Sequence, residues 1–75
     1  MEKYEVLIVG YDEDDNPNDF EQLEGTFEDE DKAIWFAENY PFSAPSKDIT
    51  PHSKVIVEGR NDDDFVSLIY ESELS

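Results

Sequence analysis

DEDKAIWFAENYP, residues 29–41, carries the clearest helical signal in the chain. Asp29 is placed to cap the first turn, and Glu30 and Asp31 follow where the helix dipole favours negative charge. Ala33, Phe36, Ala37 and Tyr40 then recur at i, i+3, i+4 and i+7, which makes one apolar stripe. Pro41 closes the segment. At about 100° per residue, Trp35 falls on the side opposite Ala33 and Ala37, so the helix is expected to hold it away from the rest of the fold.

Working outward, the neighbours read as strands. Before the helix, Phe20–Phe27 is a weak strand in which Leu23, Gly25 and Phe27 share one face and Glu24, Thr26 and Glu28 the other. Gly25 weakens that strand or marks a bulge. Lys3–Tyr11, KYEVLIVGY, is rich in β-branched and aromatic residues. Tyr4, Val6 and Ile8 point one way and Leu7, Val9 and Tyr11 the other. Both faces are apolar, which predicts a central strand. Between the two lies a polar loop, Asp12–Asp19, with turn chemistry at Asn16-Pro17-Asn18.

After the helix, residues 41–52 (PFSAPSKDITPH) form a long connection from which Phe42 and Ile49 are expected to reach the core. Lys54–Glu58 and Phe65–Glu71 read as strands. Gly59 and Asn61 supply the turn between them, and Ser72–Ser75 is expected to fray. The order ββαββ predicts a single α+β domain, residues 1–75, with a four-stranded, mainly antiparallel sheet and one helix on a face. The chain has no Cys, so packing alone must hold it. Five Phe, four Tyr and one Trp supply the material.

Charge bounds the partners. Twenty-one acids against five bases give a formal net charge of −16. Nucleic-acid affinity depends on Lys and Arg displacing counterions from phosphates, so DNA, RNA and anionic lipid are excluded as ligands. Basic proteins are attracted instead. The N-terminus has no cationic region followed by a long apolar run, and the longest apolar stretch, Val6–Val9, is far short of a membrane span, so a cytoplasmic location is expected.

Site chemistry is sparse. Asp12, Asp14, Asn16 and Asn18 occupy positions 1, 3, 5 and 7 of a calcium loop, but Pro17 stands where that loop needs Gly and Leu23 where it needs Glu. The pattern stops halfway, and we read it as non-specific attraction of cations, with no metal and no cofactor. The one His, His52, sits in the long connection without a nucleophile and third group around it. The glycines are isolated, with no phosphate loop. The chain is therefore expected not to be an enzyme.

The acids carry the functional reading. Residues 12–31 hold eleven acids and no base, and Asp62, Asp63 and Asp64 form a second cluster. Solubility needs a net charge of only about 2–8. Glu24 and Glu28 flank Thr26 on one strand, where alternate residues repeat at about 6.6 Å, the scale of charge spacing along a nucleic acid. In size, charge and α+β content the chain resembles the small acidic DNA-mimic inhibitors of phages and mobile elements, without a shared sequence motif. Those inhibitors block restriction enzymes, uracil-DNA glycosylases, CRISPR nucleases or polymerases. The resemblance implies a basic, DNA- or RNA-binding enzyme as partner of a monomer or homodimer. Contact would run through Asp12, Glu13, Asp14, Asp15, Asp19, Glu24, Glu28, Asp29, Glu30, Asp31, Asp62, Asp63 and Asp64. The alternative is a generic interaction domain that binds through an apolar patch around Trp35, with Tyr11 or Phe20 beside it, unless the 41–52 connection folds over Trp35.

Overall fold

A computed structural model describes residues 3–43, 46, 48–63 and 65–74. The order is β1 (Lys3–Tyr11), β2 (Pro17–Phe27), α1 (Glu30–Asn39), β3 (His52–Arg60) and β4 (Val66–Leu74). The strands form one sheet in the order β2-β1-β3-β4, and all three pairings are antiparallel. This is the expected ββαββ α+β fold, with β1 central.

The layering follows from the alternation in β1 and β3. Val6, Ile8, Val55 and Val57 point to one face and are buried there. Ala33 and Ala37 of α1 lie against Val6, Val55 and Val57, and Tyr4, Phe27, Phe36, Phe42, Ile69, Tyr70 and Leu74 close the edges of this core. Two small side chains on the helix let its backbone come close to the sheet. Phe36 then carries the aromatic border, at 5.0 Å from Phe27, 4.6 Å from Tyr40 and 6.2 Å from Phe42. The sheet and helix make two layers within Cα extents of 38 × 26 × 14 Å.

Asp29 caps α1 as its position predicts, with its carboxylate accepting from the backbone N–H of Asp31 (2.9 Å) and Lys32 (3.4 Å). Several boundaries differ from the sequence reading because pairing extends the strands beyond their apolar centres. β2 begins at Pro17, the turn before it contracts to residues 12–16, and Asp15 takes the left-handed φ of 64° there. His52 and Gly59 lie within β3, not in loop and turn, and Ser72–Leu74 complete β4; Ser75 lies outside the described residues. Ile49, expected in the core, is exposed, and Thr50 is buried in its place. Thr50 packs on Gly10, where any Cβ would run into Thr50 Cγ2 and come within 2.7 Å of Asn18 Oδ1. Asn18 Nδ2 also donates to the Ile49 carbonyl (3.2 Å), so the end of the long connection is pinned across β1 and β2.

β2 carries the main departure. Gly25 pairs with Val6 and Leu23 with Leu7, which leaves Glu24 as an extra residue in a β-bulge. One inserted residue reverses the alternation. Leu23 thus leaves the face of Gly25 and Phe27 and joins Leu7 on the other side. Glu24 turns toward α1, beside Ile8, Tyr40 and Phe42, and accepts from Gln22 Nε2 at 2.5 Å.

Candidate functional site

α1 covers one sheet face, and the other face has no second layer among the described residues. The register places its side chains in rows across the strands. Leu23, Leu7, Ile56 and Glu71 form the middle row. Glu21, Val9, Lys54 and Glu73 lie on one side of it, and Thr26, Glu5, Glu58 and Leu68 on the other. The result is a short apolar centre bordered by five carboxylates. Leu7 and Ile56 are buried even without a covering layer, while Leu23 and Leu68, at the two lateral edges, are exposed.

Two of the three Lys and Arg side chains on this face, Arg60 and Lys54, are drawn to carboxylates, while Lys3 is exposed at the start of β1 beside Arg60. Arg60 Nε is 3.1 Å from Glu5 Oε1, and Lys54 Nζ is 3.8 Å from Glu71 Oε1 and 4.4 Å from the centre of the Tyr11 ring. Among the described residues Glu21, Glu58 and Glu73 make no ion pair. Glu58 registers that excess: burial, then repulsion from Glu21 and Glu5, pushes its carboxyl above the usual 4.5, with Arg60 opposing.

The acids singled out in the sequence do not gather on this face. Asp12, Glu13, Asp14 and Asp15 occupy the β1–β2 turn at one end of the sheet, and Asp19 is exposed on β2 nearby. Asp12 Oδ1 accepts from the backbone N–H of Asp14 and Asn16, both at 2.9 Å, and Asn18 Oδ1 accepts from Phe20 N at 2.8 Å. Two of the four side chains of the half calcium motif thereby have an oxygen engaged in turn geometry. Among the described residues no cluster of three His, Asp or Glu side chains is arranged for a metal. Glu28, Asp29, Glu30 and Asp31 lie at the opposite end, where β2 leads into α1, together with Asp62 and Asp63 in the β3–β4 turn. In that turn Asn61 Oδ1 accepts from Asp63 N and Phe65 N, both at 3.0 Å. Asp64 lies outside the described residues. The expected pairing of Glu24 with Glu28 on one strand face does not form, because the bulge turns Glu24 toward the helix and Glu28 falls beyond the strand.

Trp35 projects from the outer side of α1 and is 65% exposed, so the described residues of the 41–52 connection do not cover it. Tyr11 does not join it: Tyr11 stacks with Lys54 on the far face of the sheet. Phe20 is half-buried in β2.

The sequence reading missed Glu5, Glu21, Glu58, Glu71 and Glu73. Their signal was present in the alternation of the four strands, but each strand supplies only one or two of them. They become a set only when the strand order is known. The chain matches no known family model, no characterised protein and no solved structure.

Proposed function

We propose that this chain is a non-enzymatic module that binds a basic protein, and that it does so by occupying a surface which that partner otherwise offers to nucleic acid. The observation that carries the reading is the electrostatic state of the uncovered sheet face. Arg60 and Lys54 are held by Glu5 and Glu71, yet Glu58 is still pushed toward protonation, by burial first and then by Glu21 and Glu5. Like charges concentrated in this way destabilise the free domain, and a cationic partner relieves them. Leu23 and Leu68, exposed at the two edges, give the same face apolar contacts that simple counterions cannot use. The acidic ends, Asp12–Asp15 and Glu28–Asp31, extend the negative potential beyond the face and speed encounter.

A second reading is favoured by Trp35, which stands exposed on the helix with no role in the core. One experiment separates the two. Proteins retained by the immobilised chain from a bacterial lysate are eluted with duplex DNA or with salt, for the wild type, a Glu21→Lys/Glu58→Lys/Glu73→Lys variant and Trp35→Ala. The charge reading expects retention at low salt, elution by DNA and loss in the triple variant, because each exposed pair is screened beyond about 10 Å at 0.1 M salt. Retention that ignores salt and DNA but disappears with Trp35→Ala transfers the function to the helix surface.

A further inference from the structure

We infer that β4 is a strand-accepting edge, and that it takes an extended segment of the basic partner as a fifth strand of the sheet. This inference rests on the basic-partner reading above and specifies how contact is made.

The sheet has two edges, β2 and β4. Natural edges are blunted by proline, bulges and charge, because an unpaired row of backbone N–H and C=O groups is a template for another strand. β2 is blunted in this way. It begins at Pro17, it departs from register twice against β1, and Asn18 ties it to the end of the long connection. β4 has no Pro, departs from register once, at Ile69, and carries charge only at Glu71 and Glu73, so its first three residues, Val66–Leu68, are left without any of these devices.

Both sides of β4 also offer apolar contact at its start. Phe65 is 64% exposed, Val66 39% and Leu68 58%. Leu68 stands on the uncovered face beside Glu58. On the helix side, α1 packs on β1, β2 and β3, and a groove of about 240 Å³ opens next to β4, lined in part by Tyr4, Glu30, Phe65 and Ile69. An added strand would place alternate side chains on these two sides, while its backbone completes the ladder.

Charge selects the occupant. Asp62 and Asp63 precede β4, and Glu71 and Glu73 lie near its end. A second copy paired antiparallel through β4 would set these acids against one another and join two bodies of net charge −16. A segment with Lys or Arg at both ends and alternating β-branched residues between them has the complementary pattern.

The probe is a nine-residue peptide, Lys-Arg-Val-Thr-Val-Thr-Val-Arg-Lys, titrated into the isotope-labelled full chain with amide exchange read residue by residue. Protection should appear along Val66–Leu74 and not along Pro17–Phe27. N-methylation of alternate peptide amides removes ladder donors and should weaken binding by roughly tenfold or more. Leu68→Asp, a change at an exposed position, should weaken it several-fold. Equal affinity for the N-methylated peptide, protection on β2 instead, or dimerisation of the chain through β4 overturns the inference. Replacing the four flanking cations by Ser separates the two readings. If the neutral peptide binds β4 equally well, the edge stands and the basic-partner reading fails. If the cationic peptide binds with no need for its amides, the basic-partner reading stands and the edge fails.

Discussion

Glu58 sits where its charge is disfavoured, and the sign of the consequence for stability follows directly. Its carboxyl in the folded chain holds a proton above the usual 4.5, through burial first and then the repulsion of Glu21 and Glu5. The folded state therefore binds this proton more tightly than the unfolded state does. Its stabilising contribution is present below the unfolded value and is lost as pH rises through the raised one. At neutral pH the charged Glu58 opposes folding. Glu58→Gln should accordingly raise the melting temperature at pH 7, with a gain that shrinks toward zero near pH 4. Thermal melts of both proteins across that range check it, and an equal gain at every pH would assign the effect to something other than ionisation. Thr50 presents a second residue-level cost. It is 2% exposed, and its Oγ1 has no hydrogen-bond partner among the described residues. Val has nearly the same shape without the hydroxyl, so Thr50→Val should stabilise the chain by about 1 kcal/mol in urea unfolding. A loss of stability would reveal a partner for that hydroxyl.

Among the elements, α1 is the one whose formation is most local. Ten residues make a marginal helix in water, so it depends on its cap and on the sheet. Asp29 satisfies backbone donors at its start, and the last turn holds no basic side chain. Asp29→Ala should cost about 1 kcal/mol, and Asp29→Asn, which keeps the capping oxygen, much less. Equal losses in chemical denaturation would shift the role from hydrogen bonding to the charge at the dipole. This locality explains what could be read from the chain. The cap, the Ala33–Phe36–Ala37–Tyr40 stripe and the Pro41 stop all act within a few residues, and the β1 alternation is equally self-contained. What escaped was set by pairing across the sheet. A bulge was one of the two outcomes that Gly25 signalled, but its place at Glu24 and the move of Leu23 to the opposite face depend on how β2 meets β1. The ends of β2, β3 and β4 are fixed by neighbouring strands, not by their own composition. The carboxylate border joins Glu5, Glu21, Glu58, Glu71 and Glu73 from four strands, so no window of sequence contains it.

For the whole molecule, the net charge of −16 acts on a thin two-layer body with a Cα radius of gyration of 12.4 Å. Most carboxylates are thus within one or two Debye lengths of many others, since that length is about 30 Å at 0.01 M salt and about 10 Å at 0.1 M. Folding brings these charges together, and a domain of this size buries only about 60% of its unfolded surface to offset the repulsion. Screening should help folding and hinder binding, so added salt should act with opposite sign on the two. Raising sodium chloride from about 0.01 M to 0.5 M should increase the melting temperature by several degrees, because about 1 kcal/mol moves a small domain by roughly 4–8 °C. Over the same range, affinity for the Lys/Arg peptide should fall. The two curves distinguish general repulsion from a discrete cation site. Magnesium and calcium chloride at matched ionic strength should reproduce the sodium result if screening is responsible. A melting temperature that is flat in sodium chloride but rises with millimolar calcium would place the stabilisation at the Asp12–Asn16 turn, against the hydrogen bonds that already engage Asp12 Oδ1 there.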